Sequence, residues 1–302
     1  GTDVHIYHGE PGSADVNPPV VLGHEYSGSV ESVGKGVVGF SVGDRVTVDP
    51  NIYCGVCRYC RSGKKQMCED MRAIGVTRDG GFAEYSVIPA SQAFLLPPGT
   101  DYEVGAMAEP LACCVHGLDR SGIRAGETVL VIGGGTIGMI MLQLAKLAGA
   151  AKVYLSEPVK MRRDTALTLG ADGVIDPLSG SASEQLADLS GAFGADTVIE
   201  CAGNVKAAEQ AVECAAKGAS VMLFSVPKSD AKLSLPLFEV FQKELTIKGS
   251  FVNPDTHSRA VALLDKLQIA PLITHRFGLD KLEQAILTQM SAESVKVIVK
   301  PN

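Results

Sequence analysis

Over the first 120 residues the chain carries short apolar runs broken at close intervals by turn residues. Positions 20–22, 29–33, 45–48 and 83–88 are rich in Val, Ile and alternating polar side chains, and Gly23, Gly28, Gly34, Gly36, Gly39 and Gly43 punctuate them. That rhythm predicts a β-rich, barrel-like unit. From about residue 121 the period changes. Apolar runs at 128–132, 152–155, 174–175, 197–199, 220–224 and 245–247 alternate with helical patterns at 138–147, 160–169 and 205–216. Strands separated by helices imply a parallel sheet with right-handed crossovers, the doubly wound nucleotide-binding architecture. The tail predicts a helix near 258–267, an amphipathic segment at 279–290 and a last strand at 295–299 that returns to the first unit. The expected organisation is therefore 1–120, 121–254, and 255–302 rejoining the first part.

Composition narrows the class. The 302 residues are 46% hydrophobic and 20% charged, with 33 Gly and no Trp, a balance that argues against disorder, collagen and coiled coil. The 27 basic and 34 acidic residues leave a net charge of −7 with no dense basic cluster, so no nucleic-acid face is expected. No apolar run is long enough for a membrane span, and Gly1-Thr2-Asp3-Val4-His5 lacks the basic and apolar regions of a signal peptide. A cytoplasmic enzyme acting on a small molecule is the expectation, without nucleic-acid or membrane partners.

Half of the eight cysteines fall in one short stretch, Cys54, Cys57, Cys60 and Cys68. Gly55 and Gly63 turn that loop, and Arg58, Arg61, Lys64 and Lys65 favour thiolates. Four soft ligands at this spacing point to a tetrahedral zinc site with no open position, hence a structural one, against the plainer alternative of four free thiols. Cys113, Cys114, Cys201 and Cys214 sit in apolar or helical surroundings and read as small buried residues.

The run at 129–132 leads directly into Gly133-Gly134-Gly135-Thr136-Ile137-Gly138 and then a Met- and Leu-rich helix. A glycine triplet of this kind is a weak signal alone, but a strand before it and a helix after it are the context that a dinucleotide-binding loop requires. Gly133 permits the tight turn and Gly135 the approach of a pyrophosphate. Thr136 and Ile137 continue the loop, and Gly138 lets helix and strand pack closely. Glu157 follows at the end of the next strand, where a carboxylate accepts both ribose hydroxyls and repels a 2′-phosphate, which favours NAD over NADP. Arg162 and Arg163 are the competing evidence: they form a solvated helix face, or Ser156 with Arg162 cradles a 2′-phosphate.

Gly23-His24-Glu25-Tyr26-Ser27-Gly28 couples a His to a Glu after an apolar run. With the residues after it, this segment resembles the zinc signature of the zinc-dependent medium-chain alcohol and polyol dehydrogenases, in the form Gly23-His24-Glu25-x2-Gly28-x5-Gly34-x2-Val37. The four-cysteine loop is similar to that family's structural zinc lobe, and Gly133-x-Gly135-x2-Gly138 to its coenzyme loop. Glu109-Pro110-Leu111-Ala112-Cys113 resembles the segment that carries the third protein position at the catalytic metal, a Glu in the sorbitol, butanediol and threonine dehydrogenase branch. The likeness runs through the whole chain in order. It implies an α/β protein with a β-rich GroES-like catalytic domain and a Rossmann domain.

The resemblance also implies roles. Zinc would be held by His24, by Glu109 or Glu25, and by a cysteine that in the family precedes the Gly1-Thr2-Asp3-Val4-His5 segment, so the chain reads as N-terminally truncated. Glu25 either ligates or sits behind the metal against a basic residue. Thr2 resembles the relay hydroxyl and His5 the residue that passes the proton onward, while Asp3 orients His24. Lys296 either meets the coenzyme pyrophosphate or is a solvated strand edge, and His116 packs or caps. The implied reaction is hydride transfer between a secondary alcohol and NAD(P), in a homodimer or homotetramer built across positions 245–251. The rival readings are an NADPH-preferring alcohol dehydrogenase and a catalytically silent zinc- and dinucleotide-binding sensor.

Overall fold

Short, half-buried strands form the first unit because turn glycines recur too often for longer ones. The computed structural model describes residues 2–9 and 16–301. In chain order its first strands are β1 (Ser27–Ser29), β2 (Arg45–Val48), β3 (Asn51–Ile52), β4 (Arg72–Ala73) and β5 (Ala93–Leu95). β2 lies between β1 and β5 in an antiparallel sheet, with Thr47 opposite both Ser27 and Phe94. β3 pairs with β4. The strand expected at 20–22 is instead an irregular extended segment, bonded through Gly80 N–H to Val21 O (2.8 Å) and Phe82 N–H to Leu22 O (2.9 Å). Glycines on both sides interrupt its ladder. The 83–88 stretch is not a strand either, with Tyr85 70% and Val87 93% exposed. The strand expected at 29–33 ends at Ser29, because the Gly34 and Gly36 turns follow too soon. Helix Ala108–Ser121, absent from the sequence reading, carries Pro110 in its first turn, where a missing N–H costs nothing.

The chain divides into two compact units: residues up to Val115 together with those from Val252, and His116–Phe251. The second holds β6 (Thr128–Ile132), β7 (Lys152–Ser156), β8 (Gly173–Ile175), β9 (Ala195–Glu200), β10 (Ala215–Leu223) and β11 (Thr246–Gly249). All pair in parallel, in the order β11-β10-β9-β6-β7-β8. Val129, Leu130 and Val131 are fully buried, as expected of a sheet covered on both faces. The order reverses between β6 and β9, and a crevice at such a switch point is where nucleotides bind in these sheets. The helix expected to reach residue 216 stops at Glu213, since Cys214 caps it and β10 begins at once, with a register shift between Ala215 and Ser220. Helix Ala182–Ser190 was also missed; its cap Ser181 accepts from Glu184 N–H.

The returning tail supplies helix His257–Leu263, β12 (Ile273–Gly278), helix Leu282–Gln289 and β13 (Lys296–Lys300), with β12 and β13 parallel. Arg276 from β12 and Lys300 from β13 both ion-pair with Glu103, at 2.7 and 2.6 Å. Among the described residues no helix is long and apolar enough to cross a membrane.

Candidate metal and coenzyme sites

The cysteine loop closes on itself. The sulfurs of Cys54, Cys57, Cys60 and Cys68 all lie within 4.8 Å of one another. Backbone N–H groups point at them: Cys54 N–H donates to Cys68 Sγ (3.3 Å), Cys57 N–H to Cys54 Sγ (3.4 Å) and Cys60 N–H to Cys57 Sγ (3.5 Å). Donors from Cys60 and Glu69 hold the Cys57 thiol down at about 6, whereas burial pushes Cys60 up to about 12. Four sulfurs at this mutual distance fit zinc.

The second cluster gathers residues far apart in sequence. His24, Glu25 and Glu109 offer ligand atoms within 4.8 Å of one another, with His24 and Glu109 buried. His24 is held by a knot of glycines. Gly23 takes φ +94°, and a Cβ on Gly75 would stand 2.2 Å from Gly23 O and 2.8 Å from His24 N. Glu109 enters from the first turn of helix Ala108–Ser121 and accepts a 3.4 Å hydrogen bond from Cys113 Sγ. His24 Nε2 lies 3.8 Å from Glu25 Oε1, and its Nδ1 faces Asp3 Oδ1 at 3.6 Å. Burial opposes charge on His24, but Asp3 and Glu109 outweigh it and raise the ring's pKa. Burial pushes Glu109 up as well. Asp3 is likewise opposed by burial, yet His24 brings its carboxyl below the usual range. Asp3 Oδ1 and His24 Nδ1 are buried without a hydrogen-bond partner among the described residues. One nitrogen and two carboxylates whose ligand atoms converge within 4.8 Å suit a divalent zinc ion.

Thr2, Asp3 and His5 lie on the short helix Thr2–Tyr7, which the tail fixes through Tyr7 O–H donating to Glu283 Oε1 at 2.9 Å. Lys296 is not the solvated strand edge that was one of its two expected roles. It is largely buried and ion-pairs with Glu25, which places a cation behind the metal-site carboxylate. Burial lowers its pKa to about 8.

In the second unit the glycine loop is built as its spacing predicts. Gly133 takes φ +100°, and a Cβ there would sit 3.0 Å from Ala202 N. A Cβ on Gly138 would lie 1.8 Å from Gly133 O, so no larger residue fits. Gly135, in contrast, faces open space within 4 Å. That opening lies at the start of helix Thr136–Leu147, whose N-terminal end suits an anion. Thr136 and Ile137 form the helix's first turn.

Glu157 is only 3% exposed and accepts from Gly134 N–H (2.6 Å) and Val159 N–H (2.8 Å). Arg162 approaches it at 4.0 Å. Arg163 bonds Glu157 O, Pro158 O and Asp176, and Ser156 Oγ donates to Gln210. Sequence reasoning missed Glu200, a buried carboxylate at the end of β9. It accepts from Ala202 N–H (2.7 Å), Gly203 N–H (2.8 Å) and Ser225, and so fixes the turn that packs on Gly133. Its position at a strand end, like that of Glu157, was the available signal. His116 Nε2 is buried without a partner among the described residues.

The alcohol dehydrogenase GroES-like domain family matches residues 1–98, and the zinc-binding dehydrogenase family matches residues 136–267. A sorbitol dehydrogenase of Halalkalibacterium halodurans is 34% identical over 311 residues, covering 100% of this chain and 88% of the relative. The chain belongs to the zinc-dependent medium-chain alcohol and polyol dehydrogenases. Within that family, an L-threonine 3-dehydrogenase of Paraburkholderia phymatum is 35% identical over 303 residues, covering 99% and 88%. Solved members superpose throughout. A Sinorhizobium meliloti protein described as a zinc-binding dehydrogenase and bound to NADP gives a TM-score of 0.93 at 41% identity, covering 99% of this chain and 88% of that one. The 2R,3R-butanediol dehydrogenase of Bacillus subtilis gives 0.89 at 30%, covering 100% and 89%.

Proposed function

We propose that this protein oxidises the secondary alcohol of a polyol, diol or hydroxy amino acid and passes the hydride to NAD. The observation that carries the reading is the convergence of His24, Glu25 and Glu109 in one buried cluster, separate from the closed four-thiol lobe. His24 and Glu109, with Glu25 in reach, would hold zinc, which would supply the Lewis acidity that alcohol oxidation needs. Asp3 orients the His24 ring by facing its other nitrogen. Lys296 draws Glu25 toward itself, which sets how far that carboxylate can swing toward His24. Thr2 takes the alcohol proton and His5 passes it on.

The glycine loop binds the pyrophosphate through Gly135 and Thr136, and Gly138 packs beneath it. Glu157 binds the adenosine ribose, with Arg162 alongside. The carboxylate of Glu157 at the end of β7, where it would repel a 2′-phosphate, supports NAD. One observation favours NADP as a second reading, the NADP held by the similar Sinorhizobium meliloti protein. Kinetics separate the two: kcat/KM at least tenfold higher with NAD, and a narrowed gap in Glu157→Ala, are expected. Preference for NADP would reverse the reading. A panel of polyols, diols and L-threonine tests the substrate class, and no turnover on any of them would favour a silent binding protein.

The same reading includes a homo-oligomer, a dimer or tetramer. β11 is the free edge of its sheet, and Leu237, Phe238 and Phe241 beside it in sequence are 78%, 70% and 77% exposed. A monomeric mass in light scattering would overturn it. A cytoplasmic location accords with thiols gathered for metal rather than for disulfides.

A further inference from the structure

The first unit contains a buried polar knot that none of the roles above uses. Asp49, Asn51, Gln92, Asn253 and Thr256 are each at most 9% exposed. Asn51 Nδ2 donates to Asn253 Oδ1 (2.5 Å), Asn253 Nδ2 to Asp49 Oδ1 (3.3 Å) and Asn51 N–H to the same Asp49 oxygen (3.0 Å). Gln92 closes the backbone of the same segment, donating to Asp49 O (2.9 Å) and Asn51 O (2.8 Å). Thr256 Oγ1 donates to Ala112 O (2.8 Å), one turn beyond Glu109 on its helix. The turn that brings in Asn253 is strained: Val252 and Asp255 take φ +47° and +56°, a region costly for a β-branched residue in particular. Strain of this sort persists only where surrounding bonds over-determine it, and it gathers at functional sites.

Tyr53 follows directly on β3, two residues beyond Asn51. Its hydroxyl is buried and has no hydrogen-bond partner among the described residues, although the knot beside it is almost fully satisfied. A buried hydroxyl is costly when unpaired and is normally satisfied, so one held in a rigid frame beside a site implies a ligand group that completes it. A phenol is an uncharged donor at neutral pH, and Asp49, Cys113, Asp255 and Glu109 are its electrostatic neighbours. Those carboxylates also make this spot hostile to phosphate or carboxylate groups of a substrate.

We propose that Tyr53 is a specificity-determining residue whose hydroxyl donates to a second, uncharged hydroxyl of the substrate beside the reacting carbinol, selecting neutral diols and polyols over simple secondary alcohols. The Asp49–Asn51–Asn253 knot positions it. The proposal rests on the dehydrogenase reading for its kinetic arm alone. Removing a buried donor whose partner is then unpaired costs about tenfold or more in affinity.

The experiment compares zinc-loaded wild type with Tyr53→Phe. In the kinetic arm, kcat/KM for 2,3-butanediol should fall at least tenfold, chiefly through KM, while that for 2-butanol stays within twofold. Equal losses on both alcohols, or an unchanged diol value, would overturn the proposal. In the binding arm, calorimetry of 2,3-butanediol with the zinc- and NADH-loaded protein reads affinity without turnover. The variant should bind at least tenfold more weakly, and unchanged affinity would overturn the proposal. Binding that responds to Tyr53→Phe in a protein that oxidises neither alcohol would sink the enzymatic reading and keep the assignment of Tyr53. An unchanged melting temperature in Tyr53→Phe shows that the frame survives.

Discussion

Replacing Gly75 by Ala tests how His24 is held. Gly75 takes φ +77°, and its added Cβ would stand 2.2 Å from Gly23 O, 2.4 Å from Gly23 C and 2.8 Å from His24 N. All three are backbone atoms, so no side-chain rotation relieves the clash. Gly36 is the matched control: φ is +86°, but nothing lies within 4 Å of its added Cβ. Both substitutions pay for a left-handed Ala, about 1 kcal/mol. Gly75→Ala must also push the Gly23–His24 peptide back by about 1 Å, which adds about 2–4 kcal/mol. A displacement of that size at a reacting centre costs about 100-fold in rate. The assay is urea unfolding of both variants with zinc present, together with zinc content and turnover. Gly75→Ala should be the less stable by about 2 kcal/mol or more, and should lose the His24-dependent zinc. Stability within about 0.5 kcal/mol of Gly36→Ala, with both zincs kept, would refute the close approach of these backbones.

Three further outcomes are expected. Cys68→Ala should lose one zinc per chain and leave the other, read by metal analysis, because the four-sulfur lobe shares no ligand with the His24 cluster. Glu103 is held at about 2, against an ordinary 4.5, by hydrogen bonds from Arg276 and Lys300. Its contribution is therefore present above about pH 4.5 and lost as pH falls toward 2. Glu103→Gln should cost about 1–2 kcal/mol at neutral pH in urea unfolding, since both cations are half-exposed, and the gap should close in acid. His257 is 1% exposed, packs tilted against Phe94 with ring centroids 4.7 Å apart and has its pKa lowered by burial to about 4. Its folded-state value lies below the ordinary 6.5, so wild type loses stability as pH falls from about 6.5 to 4. The loss amounts to about 3 kcal/mol, and His257→Leu should flatten that part of the profile.

What the sequence showed and hid follows from how local each signal is. The cysteine loop and the Gly133–Gly138 turn announce themselves because all their parts lie within a few residues of one another. The parallel sheet was visible because strands buried on both faces, such as 128–132, are nearly continuous apolar runs. Strands of the first unit were harder. The segments at 20–22 and 83–88 have strand composition, but glycine turns and missing partners deny them a ladder, whereas β5 is three residues long and has no pattern to read. Helix Ala182–Ser190 did carry a signal, Ser181 followed three residues later by Glu184, which was passed over. At the His24 cluster the resemblance supplied the residues and, as one alternative, a basic partner for Glu25, but not which residue that partner is. The ion pair of Lys296 with Glu25 joins residues 271 apart, and the glycine knot of Gly23 and Gly75 and the bonds of Asn253 to Asp49 are likewise long-range contacts. No periodicity encodes contacts of that range.

The most direct test of a zinc-dependent dehydrogenase built on His24 is zinc content per chain, measured with NADH formation on the polyol and diol panel, in wild type and His24→Ala. Two zincs with NAD reduction in wild type, and one zinc with no NADH in the variant, is the expected result. Two zincs and undiminished NADH formation in His24→Ala, or one zinc and no NADH in wild type, would contradict it.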